Sequence, residues 1–235
     1  MDDRSVDRHP ARVLVVAAMP EEFEAVTAEV AGTRTAVGPF RAHQGEQVSI
    51  VESGIGPANA AAATATALAV AGPFDVAVSA GVGGAFPTSH LEAGRLVVAT
   101  EIVAGDFGIE EGSAFRDAHE LEWVAVAFRH DEALVRAAVD HAGAVPGPIV
   151  TVSAMSDSVQ RVARFTGRRP PALAEGMEGL GVALAAARWG VANGELRAIC
   201  NVVGHNDLSR WSMEEALGAL AAGLRATLGA LSANR

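Results

Sequence analysis

One amide and two carboxylates carry the chemistry that this sequence offers. The apolar run Leu196-Arg197-Ala198-Ile199-Cys200 reads as a buried strand that delivers Asn201 at its end. An amide presents one acceptor and two donors in fixed geometry. It can donate to a ring carbonyl while accepting from a neighbouring ring N–H, which makes a base-reading device. A carboxylate at that point accepts only, and suits an exocyclic amine instead. A polar cap on a strand end is the alternative reading of the same segment. Glu21 and Glu22 directly follow the first strand. Glu21 reads as a helix N-terminal acid favoured by the dipole. Glu22, a strand-end acid near glycine turns, can act as a general base on water. Glu178, within Glu175-Gly176-Met177-Glu178-Gly179, opens an otherwise apolar helix, which is costly unless the acid is paired. A carboxylate there can accept from the two hydroxyls of a ribose. One carboxylate on each side of a sugar carbon suits hydrolysis through an oxocarbenium-like transition state.

These groups need elements to position them. Arg12 to Ala17 reads as a buried strand, turning at Met19-Pro20 into a helix from about Glu21 to Ala31. Pro20 near the first turn and acids at the positive end support that start. Short strands are expected at 34–37 and 47–51. Ser53-Gly54-Ile55-Gly56 is a tight turn into a helix over 57–70. Phe74 to Ser79 reads as a strand opening into the glycine loop Ala80 to Phe86, where backbone can approach a ligand. A strand at 95–103 precedes an acidic loop region at 104–123. An amphipathic helix (131–142), a strand (148–153), a short helix (157–165), an apolar helix (177–189), the Asn201 strand and a C-terminal helix (211–231) complete the pattern. Alternating strands and helices imply a layered α/β sheet. Residues 1–10 are polar, lack the apolar core of a signal peptide and are expected to be a disordered tail, with a single domain over 11–235. Ligands of such sheets sit beyond the carboxyl ends of the strands. The candidate pocket walls are therefore Glu21-Glu22, Ser53-Gly54, Gly81 to Phe86, Met155 to Asp157 and Asn201.

Composition removes several function classes. A net charge of -10 argues against a nucleic-acid partner, because phosphate binding needs a basic surface. The chain contains no Lys, which removes a Schiff-base or Walker-type lysine. Cys200 is the single cysteine, so no intrachain disulfide can form; an inert core thiol and a reducing cytoplasm fit it. The uncharged stretch 53–74 is too rich in Ala, Gly and Thr for a membrane span. The seven His lie too far apart for a local metal motif, and no Ser occupies a nucleophile elbow. Neither glycine segment completes a dinucleotide fingerprint.

Five motifs occur in a fixed order: Ala17-Ala18-Met19-Pro20-Glu21-Glu22, Ser53-Gly54-Ile55-Gly56, Ala80-Gly81-Val82-Gly83-Gly84-Ala85, Gly176-Met177-Glu178-Gly179 and Arg197-Ala198-Ile199-Cys200-Asn201. From about Val13 onward the chain resembles the nucleoside phosphorylase and nucleosidase superfamily. The segment Asn201 to Asp207 with Trp211 resembles the futalosine hydrolases in particular. That resemblance implies a three-layer αβα sandwich around a twisted mixed sheet. It implies hydrolysis of the N-ribosidic bond of futalosine, a step of menaquinone biosynthesis, with release of hypoxanthine. No metal or organic cofactor is implied. The expected partner is a purine nucleoside substrate, and the expected state is a cytoplasmic homo-oligomer, dimer or tetramer. By position Glu22 activates water, Met177 and Glu178 hold the ribose, and Asn201 engages the purine N7 edge. Ser53, Gly81, Gly83, Gly84 and Phe86 join them as substrate-binding residues. In the related methylthioadenosine/S-adenosylhomocysteine nucleosidases the Asn201 position is Asp, suited to adenine; Asn resembles the arrangement for 6-oxopurines. A phosphorylase is the nearest rival, but Met-Pro-Glu-Glu follows the first strand where a phosphate clamp would need Arg. A nucleosidase acting on 6-amino nucleosides, and a nucleoside-binding scaffold without catalysis, are the further alternatives. For the 5′ group of the substrate the candidates are Arg116, His119 and Arg210.

Overall fold

The computed structural model describes residues 11–112, 114–118, 120–123, 130–167, 170–204 and 207–233. The expected N-terminal tail, His119 and His205 lie outside them. The strands are β1 (Val13–Ala17), β2 (Thr33–Val37), β3 (Phe40–Gln44), β4 (Val48–Glu52), β5 (Val76–Ala85), β6 (Leu96–Ala104), β7 (Gly108–Glu111), β8 (Ala114–Asp117), β9 (Val145–Thr151), β10 (Ala174–Gly176) and β11 (Ala192–Val202). The helices are α1 (Pro20–Thr27), α2 (Pro57–Val70), α3 (Glu132–Ala142), α4 (Val159–Thr166), α5 (Gly179–Arg188) and α6 (Met213–Ala233). Nine strands form one sheet in the order β10-β9-β6-β11-β5-β1-β4-β3-β2, and β10 also pairs with the far end of β5. β1, β4, β5 and β11 run parallel to their partners among one another, whereas β2–β3, β3–β4, β6–β11 and β5–β10 are antiparallel.

The layers follow from side-chain alternation. All five residues of β1 are buried, as expected of a strand covered on both faces. Val13, Val15 and Ala17 pack with Phe23 of α1, Leu134 of α3 and Leu220 of α6. Leu14 and Val16 pack on the other face with Ala60 and Ala63 of α2 and Val182 of α5. Helices therefore cover both faces of a mixed sheet, the three-layer sandwich that the motif order implied. Among the described residues no helix is long and apolar enough to cross a membrane; the uncharged stretch after Ser53 supplies the turn and α2.

Three departures from the sequence reading bear on the site. The glycine segment Ala80 to Ala85 is not a loop but the continuation of β5, paired to β11 on one side and β10 on the other. Glycines there are needed because neighbouring groups crowd the strand, not because it turns. The acidic region after Ala104 contains the β7–β8 hairpin, with Gly108↔Asp117 and Glu111↔Ala114 in register. Two strands, β3 and β10, were not expected: β10 has three residues, too few for a periodic signal, and β3 is fixed by antiparallel pairing to β2 and β4.

Candidate active site

The sheet places the carboxyl ends of β1, β5, β10 and β11 around one cavity of ≈ 410 Å³. That lies within the range of about 300–1,000 Å³ usual for small-molecule sites. Of the residues singled out from sequence, Glu22, Gly83, Gly84, Met177, Glu178 and Asn201 line it together. Ser53, Gly81 and Phe86 do not. The Ser53 hydroxyl donates to the carbonyls of Ala17 and Gly54, at 3.3 and 2.8 Å, and so fixes the turn before α2. Phe86 is fully buried against Phe165, ring centroids 5.6 Å apart, behind the cavity wall. Arg116, proposed for the 5′ group, pairs on the hairpin with Glu111 at 2.6 Å. Arg210 is exposed on the short helical turn Leu208–Arg210, whose Leu208 reaches the cavity.

Glu22 sits on the first turn of α1 and folds back over the end of β1. Its Oε2 accepts from the N–H groups of Ala18 (2.9 Å) and Met19 (3.0 Å), and its Oε1 accepts from Val82 N–H at 2.8 Å. The carboxylate is thus locked between β1 and β5. Burial pushes its pKa up; Arg197 and the backbone donors of Val82 and Met19 pull it down, Glu178 pushes it up, and the balance stays above the ordinary value. Such a group is a better base than a solvated carboxylate.

Beneath the cavity lies a feature that the sequence reading passed over. Arg197, within the apolar run of β11, is buried, and its guanidinium ties the site together. Nε donates to Glu195 Oε1 at 2.8 Å, Nη2 to Ser79 Oγ at 2.7 Å, and Nη1 pairs with Glu178 Oε2 at 3.0 Å. Burial alone would depress the Arg197 pKa, but Glu195, Glu178 and Glu22 override it and raise it, so the cation is permanent. Glu178 completes its pairing by accepting from Gly56 N–H at 3.0 Å, which joins the α2 turn to the N-terminus of α5. The cost of a buried acid at that helix start is met by these two partners. A sequence signal for this cluster existed. Glu195 and Arg197 are two apart on a strand and so share one face, and paired opposite charges in an apolar strand ask for a buried ion network.

Glycines make the crowding possible. A Cβ on Gly81 would lie 2.5 Å from Glu22 Oε1 and 2.6 Å from Arg197 Nη1. One on Gly176 would lie 2.7 Å from Arg197 Nε. Gly81 therefore serves the site from below rather than by touching a ligand.

Asn201 stands half-buried at the end of β11. Its Nδ2 donates to Val202 O at 3.3 Å, and its Oδ1 accepts from Cys200 Sγ at 3.4 Å, both long contacts that leave the amide available to a ligand. Burial pushes the Cys200 thiol up to about 12, which keeps it neutral. Trp211 and Met155 add apolar walls. Among the described residues no cluster of His, Cys, Asp and Glu could hold a metal ion.

A family model described as the phosphorylase superfamily matches residues 12–229. This chain belongs to the phosphorylase superfamily. Within the superfamily it is 44% identical over 175 residues to the futalosine hydrolase of Streptomyces coelicolor, covering 73% of this chain and 74% of that one. It is 34% identical to the futalosine hydrolase of Thermus thermophilus, covering 80% and 84%. Its fold matches a superfamily structure, the methylthioadenosine/S-adenosylhomocysteine nucleosidase of Colwellia psychrerythraea in complex with adenine, with a TM-score of 0.77 and 25% identity over 95% of this chain and 96% of that one. These relatives place the chain among the superfamily's N-glycosyl hydrolases, as the acids after β1 led one to expect.

Proposed function

We propose that this chain hydrolyses the N-ribosidic bond of futalosine, releasing hypoxanthine and dehypoxanthine futalosine, without phosphate, metal or organic cofactor. One observation carries the reading. The buried carboxylates of Glu22 and Glu178 and the amide of Asn201 converge on one cavity. The likeness to the futalosine hydrolase of Streptomyces coelicolor supports it.

In this reading the ribose lies over Met177 with its hydroxyls on Glu178. Glu178 keeps its charge against Arg197, and that charge steadies the oxocarbenium that develops at C1′. Glu22 takes a proton from the water that attacks C1′. As the bond breaks, negative charge collects on the purine and N7 takes a proton from solvent water, while Glu22 returns the proton it has taken to solvent as the products leave. The Asn201 carbonyl accepts from N7–H, and its amide donates to the C6 oxygen. The first of these contacts exists only as the bond breaks, so it favours the transition state over the ground state. Asp at this position would face the C6 oxygen with lone pairs. A phosphorylase would need cations at the Glu22 end of the cavity; the guanidinium nearby is already committed to Glu195, Glu178 and Ser79. The setting we propose is a cytoplasmic homo-oligomer.

The test is base release from futalosine, inosine, methylthioadenosine and aminodeoxyfutalosine. Futalosine should give hypoxanthine fastest. Preference for a 6-amino nucleoside would replace this reading with that of an adenine-releasing nucleosidase.

A further inference from the structure

Glu175 lines the same cavity and has no part in the account so far. It is buried, and its Oε1 accepts from Ser156 N–H at 3.0 Å. Its Oε2 is buried with no hydrogen-bond partner among the described residues. A buried acceptor left unmatched is costly, and a cost kept at the wall of a binding cavity points to a ligand donor.

The sheet register says where that donor would lie. Gly84 on β5 pairs with Glu175 on β10 and with Asn201 on β11. Directly paired residues project to the same face of a sheet. Glu175 and Asn201 therefore flank Gly84 two strand spacings apart, roughly 10 Å between their backbones. The glycine between them lets the Asn201 amide and Val203 pack close over the strand: a Cβ there would lie 3.1 Å from Asn201 Oδ1 and 2.9 Å from Val203 Cγ2. Glu175, Gly84 and Asn201 all line the one cavity, with the amide on one flank of the glycine and the carboxylate on the other.

We infer that Glu175 reads position 1 of the base, its carboxylate accepting from the N1–H of a 6-oxopurine while Asn201 engages the opposite edge. The inference rests on the nucleosidase reading above and names the residue that selects its base. A 6-oxopurine carries a proton on N1, whereas a 6-aminopurine carries a lone pair. An ionised carboxylate matches the first and repels the second. Burial pushes the Glu175 carboxyl up, against the pull of Ser156 and Arg161; a bound N1–H restores the charged form by giving it a partner. Asn201 and Glu175 then discriminate the same lactam through two separate atoms.

The experiment measures binding of the free bases hypoxanthine and adenine by calorimetry, to the parent chain and to Glu175→Gln, alongside hypoxanthine release from futalosine. A Gln keeps an oxygen for Ser156 N–H and turns an NH2 donor toward position 1, which suits adenine. The parent should prefer hypoxanthine. In Glu175→Gln the ratio of hypoxanthine to adenine affinity should fall by about ten- to hundredfold, the scale of an unmatched buried hydrogen bond. Retained adenine binding reports that the variant pocket is folded; loss of both bases would be met with Glu175→Asp, which keeps the acceptor and should restore preference for hypoxanthine. An unchanged ratio in Glu175→Gln, or a Glu175→Asp that restores no preference, overturns the assignment even where the parent hydrolyses futalosine. A parent that leaves futalosine intact but whose base preference moves as predicted keeps Glu175 as the position-1 reader and overturns the futalosine reading instead.

Discussion

At the residue scale the chemistry of the site follows from what each oxygen touches. Glu22 is held by three backbone N–H groups, of Ala18, Met19 and Val82. Glu22→Gln can still orient a water but cannot take its proton, so turnover should fall by about 10²–10⁴ while nucleoside binding persists. Steady-state turnover beside equilibrium binding checks this; near-parental turnover removes the role. Because burial raises the Glu22 pKa, the base is lost to protonation at a higher pH than an ordinary carboxylate. The acid limb of kcat/KM should therefore lie above the ordinary Glu value of about 4.3, with activity falling as pH drops through it. A limb at or below that value in a pH–rate profile would contradict the assignment. Asn201→Asp should cost at least about tenfold in hypoxanthine release and shift preference toward the 6-amino nucleoside. An unchanged ratio of the two activities would mean that Asn201 does not read position 6.

At the element scale, the strands buried on both faces were the plainest in the sequence, and the shorter β2 and β4 were also read, at 34–37 and 47–51. β1, the start of β5 and the end of β11 announce themselves as apolar runs, and the helix expected over about 57–70 is α2, Pro57–Val70. β10 was not legible: three residues in Ala174–Gly176 carry no period, and only pairing to β5 and β9 makes them a strand. That omission hid Glu175, whose role depends on its register with Gly84. The glycine segment of β5 was legible as special but misread as a loop. Its glycines answer to side chains arriving from other elements, and those arrivals are non-local. Gly81 shows the difference. As a loop residue it would tolerate Ala; as a strand residue facing Glu22 and Arg197 it should not. Gly81→Ala should destabilise the chain by about 1–3 kcal/mol through overpacking and depress turnover further by displacing Glu22. Denaturant unfolding beside activity tests this, and a variant parental in both would deny the close approach.

At the scale of the whole molecule, the sandwich brings together residues far apart in the chain. Glu22 comes from α1, Glu178 from the start of α5, and Arg197 from β11, with Gly56 of the α2 turn closing the set. The sequence revealed the cavity-lining members because strand ends and glycine turns mark them. The supporting ion network was passed over, although Glu195 and Arg197, two apart in an apolar strand, carried a signal for it. That network also sets the reaction type. The one guanidinium described beneath the cavity is bound to carboxylates and is not free to clamp phosphate, which fits water as the nucleophile. The most direct measurement is the rate of hypoxanthine release from futalosine as inorganic phosphate is titrated from none to excess, with the sugar product identified. We expect a rate independent of phosphate and a free sugar hydroxyl at C1′. A rate that rises from zero with phosphate, with a sugar 1-phosphate as product, would contradict it.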